Sequence, residues 1–259
     1  MTVVITADRL ARLEQEGMEN NPVVSIASIY DSAGAFTTGG TTAPRAADGA
    51  TYTFWTATGA LTYALSSAQT CNIAGIAAHD LGTQGATVEL EYLAGPSWQT
   101  IATITPTDDQ TIVVLFDDLQ SDEWRWVVTG SASIGVAHIG QAYHFDRRFY
   151  QGYDEARFPS RVDLLANQTG PHVLGTSVLS RGSSVVWPLR NLREDTVFTP
   201  DFSAFVTQYN AGKPFFAAWR PSDYGRAYYA MREGDPIRVI NGGPKRRKEL
   251  TIGMRVYDD

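Results

Sequence analysis

The chain contains one cysteine, Cys71, which excludes an internal disulfide, and nothing in the sequence resembles zinc-ligand spacing. It sits in the apolar run Cys71 to Ile76 and reads as a small buried core residue. No stretch approaches 18 consecutive apolar residues, so no membrane-spanning helix and no membrane insertion are expected. Asp8, Glu14, Glu16 and Glu19 interrupt the apolar positions of the N-terminus, so a secretory signal peptide is not expected either.

Positive charge is scarce in the first half. Residues 1–145 hold no lysine and 4 arginines against 15 acids, a sum of −11. Residues 146–259 hold 17 basic and 13 acidic residues, a sum of +4, which restores the net charge of −7. The change of sign suggests two units with different surroundings. An acidic first half repels phosphates, so nucleic acid is not an expected partner.

Catalytic signatures are missing as well. There is no Gly-x-Ser-x-Gly elbow, no His-Glu-x-x-His and no phosphate loop, and Gly212-Lys213-Pro214 is only a turn. The histidines, His79, His138, His144 and His172, are dispersed and none pairs with another at ligand spacing. Asp108-Asp109 and Asp117-Asp118 offer oxygen ligands, but adjacent aspartates on a strand point to opposite faces, so solvated turns are expected. A carboxylate pair needs no proximity in sequence. With that one route open, the expectation is still a chain that is not an enzyme and carries no cofactor or metal.

What the chain does have is 11% aromatic residues, 43% hydrophobic residues and many short β-branched runs broken by turns. Residues 1–22 read as an N-terminal arm, with a short helix from Thr6, as cap, to Glu19. Strands are expected over 23–30, 51–55, 61–65, 72–78, 87–93, 98–104, 111–116, 123–129 and 133–139, with a loop over 32–49. The alternation Val88, Leu90, Tyr92 against Glu89 and Glu91 marks a half-buried strand, and Ala94-Gly95-Pro96-Ser97 turns it into a hairpin. The run 72–78 is apolar on both phases, as a strand buried on both faces would be. Strands at this spacing without an intervening helix indicate a β-sandwich or jelly roll over 23–145.

Residues 146–157 are dense in charge and read as a linker. The unit 158–259 then offers strands near 162–165, 173–179, 183–189, 214–219, 227–231, 236–240 and 250–257. One helix, 199–212, is well signed: Thr199 as cap, Pro200 at the first position and Asp201 in the first turn. Phe202, Phe205, Val206 and Tyr209 give it one apolar stripe, and Gly212 closes it. The fold class is therefore mainly β: an N-terminal jelly-roll or β-sandwich, then a small split β-barrel with one packed helix.

The residues that offer themselves for binding are few. His79-Asp80, after the buried strand, reads either as a polar pair at a loop rim or as a histidine hydrogen-bonded to backbone at a strand end. Trp55 and Trp98 either present flat faces to a sugar or fill the sandwich core. Arg125, between Trp124 and Trp126, points away from the tryptophan face or pairs with Asp122 or Glu123. Lys245, Arg246, Arg247 and Lys248 form a basic loop that either contacts an acidic neighbour or is a soluble hairpin tip.

Residues 23–145 resemble the galactose-binding-like jelly rolls found in phage virion proteins. The resemblance rests on Asp48 to Trp55, on Ile73 to Gly82, and on Trp124-Arg125-Trp126 followed by Ile134 to Gly140. Residues 158–259 resemble the tube-type ring domain of phage distal tail proteins, through Ser184 to Leu189, the capped helix, and Gly212 to Trp219. Members of that family more often place the ring domain first, whereas this chain places the jelly roll first. The resemblance implies a structural component of a phage tail tip, located in the virion after synthesis in the host cytoplasm. Its implied partners are copies of itself in a ring, hexameric in several members, other phage tail proteins, and a host surface glycan at the jelly roll. A stand-alone lectin-like carbohydrate-binding protein is the alternative.

Overall fold

The computed structural model describes residues 3–148, 160–166, 173–181, 183–223, 225–242 and 246–257. The first part comprises β1 (Val3–Ile5), α1 (Ala7–Glu16), β2 (Val23–Ser28), β3 (Gly34–Phe36) and β4 (Trp55–His79). It continues through α2 (Leu81–Gln84), β5 (Thr87–Ala94), β6 (Ser97–Ile104) and β7 (Ile112–His144). After β8 (Ser160–Ala166) and β9 (Val173–Arg181) come β10 (Ser183–Arg193), α3 (Glu194–Val197) and α4 (Pro200–Asn210). The described chain ends with β11 (Phe215–Ala218), β12 (Tyr228–Arg232), β13 (Ile240–Asn241) and β14 (Arg247–Tyr257). The protein is mainly β, as its turn-punctuated β-branched runs predict.

β4 and β7 are long ribbons that carry the first unit. Partners fall along β7 as they rise along β4 (Leu61↔Trp126, Tyr63↔Trp124, Ile73↔Leu115, Ile76↔Ile112), so the ribbons run antiparallel. The middle of β7 also pairs with β5, and β5 with β6, on one layer. The end of β7 folds back along β4 (Ile73↔Gly140, Ala77↔Val136), while β1 lies parallel to its start. The core lies between these layers, with Trp55, Leu61, Trp124 and Trp126 from one and Ala74, Ile76, Val114 and Ile139 from the other. The alternate residues Ile73, Ala77, Val113 and Leu115 are buried on the opposite face. This part of β4 is thus covered on both sides, the environment its unbroken apolar run predicts.

Several expected boundaries move. Residues 51–54 are not strand, because Asp48 holds them in a turn: Oδ1 accepts from Ala50 N at 2.8 Å and Oδ2 from Thr53 Oγ1 at 2.8 Å. The expected break at 66–70 is absent, since Ser66 to Thr70 contains neither glycine nor proline and the ribbon continues through it. The loop at 32–49 contains β3 and a 3₁₀ stretch over Gly40–Ala47. Of the expected strand 236–240, only Ile240 enters a ladder, as part of β13.

The N-terminal segment is tied down at two points. β1 joins the sheet, and α1 buries Leu13 together with Arg9, whose Nη2 lies 3.1 Å from His144 Nε2. Thr6 occupies the N-cap position without a side-chain capping bond, and Gly17 closes the helix in the left-handed conformation.

β2 is shared between the two units. It pairs with the end of β7 on one side and with β11 on the other, so one sheet runs on through β11, β12, β14 and β10. Its side chains divide accordingly, Val24 and Ile26 entering the second unit's core and Val23 the layer between the units. α4 packs Phe202, Phe205 and Tyr209 into that second core with Trp187 and Phe215. Its start is as the sequence predicts: Thr199 Oγ1 accepts from Phe202 N at 3.2 Å and Pro200 opens the first turn. β8 and β9 pair with each other in a separate two-stranded sheet.

Candidate functional site

Trp55 and His79 are both register partners of Ile134, so the fold sets them on either side of one residue of β7. Neither is open to a ligand. Trp55 is 1% exposed and donates its indole N–H to Gly39 O at 2.9 Å. His79 is buried, with Nε2 2.9 Å from Gln110 O and Nδ1 accepting from Leu81 N at 3.3 Å. A neutral ring with its proton on Nε2 satisfies both bonds. Asp80 occupies the N-cap position of α2 without a capping bond, its Oδ1 accepting from Ser133 N at 2.6 Å and its Oδ2 from Gln84 Nε2 at 3.3 Å. Of the two readings of His79-Asp80, this geometry is that of a strand-end histidine bonded to backbone.

Trp98 lies elsewhere, half-buried on β6, with the Arg125 guanidinium 4.0 Å above its ring. Arg125 is held there by an ion pair with Glu91, across the β5–β7 ladder, rather than with Asp122 or Glu123. Thr100 donates to the other Glu91 oxygen at 3.1 Å.

In the basic loop, Lys245 lies outside the described residues. Arg246 Nε and Lys248 Nζ stand 3.7 and 3.5 Å from the two oxygens of Glu194, on α3. Arg247 donates to Asn191 O at 3.3 Å. These cations are engaged within the chain, although the Arg246 side chain remains 88% exposed.

A cleft of about 170 Å³ lies where the two units meet. β2 and the turn after it bring Ser28 and Asp31, the turn before β4 brings Asp48 and Gly49, and β7 brings His138. The other wall comes from Gln208 at the end of α4, Lys213 and Pro214, Phe216 on β11 and Tyr229 on β12. His138 is 6% exposed and its Nε2 has no hydrogen-bond partner. Burial pushes its pKa down to about 4, against a small opposing pull from Asp31, so it is neutral near pH 7. Gln208 is 8% exposed; its Nε2 donates to Pro214 O at 2.9 Å while Oε1 is unpartnered.

Aromatic faces line the floor. Phe216 lies 5.5 Å from the His138 ring and 5.0 Å from Tyr229, centroid to centroid. It can do so because β4 carries glycine beneath it: a Cβ on Gly75 would fall 2.6 Å from the Phe216 ring. At the rim Lys213 Nζ sits 3.2 Å from Asp31, which leaves Asp48 as the uncompensated charge. Gly49, Pro214 and Tyr229 also line a second hollow of about 230 Å³, whose far side is Tyr52, Met231 and Arg255. Tyr52 is 81% exposed.

Among the described residues no three of His, Cys, Asp and Glu gather as metal ligands. The polar groups the cleft offers at its rim are those of Asp48 and the Asp31–Lys213 pair, while His138 Nε2 and Gln208 Oε1 are buried in its wall. Sequence reading did not find it. The one local signal was Gln208, a polar residue between Phe205 and Tyr209 on a buried helical stripe.

No family model and no curated protein matches the chain. Among solved structures it is similar to the CBM32 of AlyQ in complex with 4,5-unsaturated mannuronic acid, at 17% identity and a TM-score of 0.36, covering 44% of this chain and 96% of that one. It is also similar to the family 32 carbohydrate-binding module of C. perfringens NanJ in complex with galactose, at 19% identity and a TM-score of 0.35, covering 45% and 98%. A pectin-binding carbohydrate-binding module aligns at 17% identity and a TM-score of 0.35, covering 44% and 91%. The sandwich itself stands on the strand ladders described above.

Proposed function

We propose that the chain is a non-enzymatic structural subunit of a phage tail tip that assembles with copies of itself in a ring. The observation that carries this reading is the β8–β9 sheet, a two-stranded ribbon joined by no ladder to the 12-stranded sheet among the described residues. A two-stranded ribbon is at best marginally stable alone in water and becomes stable when it lies on another surface. A neighbouring copy supplies that surface repeatedly, which is what a ring requires. Replacing residues 160–181 by a short Gly-Ser linker tests the idea. Analytical ultracentrifugation is expected to show an oligomer for the full chain and a folded monomer for the deletion. Unchanged assembly without the ribbon would remove its basis.

A second reading, carbohydrate binding, is favoured by a different observation: the cleft at the seam, where the polar side chains of Ser28, Asp48 and Lys213 share the lining with Pro214 and the edge of Tyr229. Hydroxyl-rich ligands with apolar C–H faces match such a lining. The two readings are compatible, since a ring subunit can carry a glycan site on its exposed seam.

A further inference from the structure

We infer that the β8–β9 ribbon of one copy lies on the face of the next copy's β10–β14–β12 layer that α4 leaves uncovered. The inference rests on the ring reading above and assigns its two mating surfaces.

That face follows from alternation along the strands. Leu250, Ile252, Met254 and Val256 of β14 enter the core with Phe202, Phe205 and Tyr209 of α4. The residues between them, Thr251, Gly253 and Arg255, and Glu249 before them, therefore lie on the opposite side of the sheet. Their ladder partners extend that side: Val186 pairs with Gly253, Met231 with Arg255 and Ile240 with Glu249. Towards β11 it is covered by the first unit, where Phe216 and Tyr229 share a buried cluster with Ile73 and Val113. Towards β10 it is open, with Val186, Met231 and Ile240 exposed by 51%, 49% and 56%. Large apolar side chains gathered in the open on one sheet face mark an interaction surface.

The ribbon matches this face in length, pattern and charge. Glu249 to Arg255 is a run of roughly 20 Å at about 3.3 Å per residue, and Ser160 to Ala166 of β8 spans the same number of residues. The β8–β9 ladder sets Val162 opposite Val178 and Ala166 opposite Val173, with Leu164 between them, so alternate positions of the ribbon are apolar in sequence. Arg190, Arg238, Glu233, Asp235 and Glu249 border the open hollow on the face, and none of them forms an ion pair among the described residues. The ribbon brings Arg161, Asp163 and Arg181. An apolar centre ringed by charges of both signs is the usual anatomy of a protein–protein contact.

Donor and acceptor are different surfaces, so the contact is head-to-tail. Each copy offers one ribbon and one face, and repetition about an axis closes a ring. Packing on the face is favoured over extension of the sheet, because β10 is the edge strand of its ladder and Pro188 removes a backbone donor from it.

Two full-length variants test it by light scattering. The face variant carries Val186→Glu with Ile240→Lys, both at exposed positions where the fold is expected to stay. The ribbon variant carries Val162→Glu with Val178→Lys, register partners that keep opposite charges across the ladder. Each is expected to be a monomer at concentrations where the unmodified chain is an oligomer, with association weakened about a hundredfold or more by two lost apolar contacts. An equal mixture of the two is expected to form a heterodimer that grows no further, since one intact ribbon meets one intact face. Monomeric variants that fail to combine would overturn the ribbon-to-face contact. A face variant that assembles like the unmodified chain would overturn it as well, and this arm stands even if the ribbon variant does not fold. Both results leave the ring reading intact. A strict monomer of the unmodified chain at every concentration would leave the face to a different partner and overturn both.

Discussion

The Tyr229 hydroxyl donates a hydrogen bond to the backbone carbonyl of Gly49 at 2.7 Å, joining β12 of the second unit to the turn that precedes β4 in the first. Tyr229 is 6% exposed, and burial raises its pKa well above the usual tyrosine range, with Asp48 adding to the effect. Gly49 can present that carbonyl because it adopts a φ of 75°, a conformation that suits glycine. Tyr229→Phe keeps the ring and removes the bond. A loss of about 1 kcal/mol is expected by urea denaturation, with the groove beside Tyr52 loosened. An unchanged midpoint would mean that the bond is exchanged for water without consequence.

Trp55→Ala is expected to cost about 3–5 kcal/mol, because it empties a buried site and orphans Gly39 O. Trp98→Ala removes a half-exposed ring stacked on Arg125 and is expected to cost about 1 kcal/mol or less. Chemical denaturation of the two variants checks the contrast. Equal losses would show that Trp98 is part of the core after all.

Stability is expected to fall as pH drops from about 6.5 towards 4. His138 and His144 have pKa values pushed down to about 4 and about 3, in both cases first by burial, with Arg9 adding to the effect on His144. The unfolded chain therefore binds more protons in this window, and stability is full above the ordinary histidine pKa and lost below it. Each histidine contributes a slope of up to about 1.4 kcal/mol per pH unit. His144→Gln should flatten the melting-temperature profile between pH 4 and 6. A profile that is flat in the unmodified protein would contradict the burial of both rings.

Much of the fold could be read locally. The β5–β6 hairpin follows from clean alternation and the Gly95-Pro96 turn, and α4 follows from Thr199, Pro200 and its aromatic stripe. The misreadings share a cause, which is that local pattern was overridden by a specific interaction. Thr51 to Phe54 has strand composition, yet Asp48 folds it into a turn. Ser66 to Thr70 looks like a loop, yet the long β4–β7 pairing carries it as strand. The site was less legible than the fold. Asp31, Asp48 and His138 of the first unit meet Gln208 and Lys213 of the second beside the β2–β11 pairing, a contact between the beginning of the chain and its last third. No spacing or motif encodes that meeting. Trp55 and His79 carry the residue types expected of a site, but they serve the interior of the sandwich.

The central claim is that this chain is built to be completed by copies of itself. Multi-angle light scattering of the full-length protein across a wide concentration range addresses it most directly. The account predicts a discrete closed oligomer, near six subunits, whose mass stops rising once the ring has closed. A strict monomer at every concentration would contradict it.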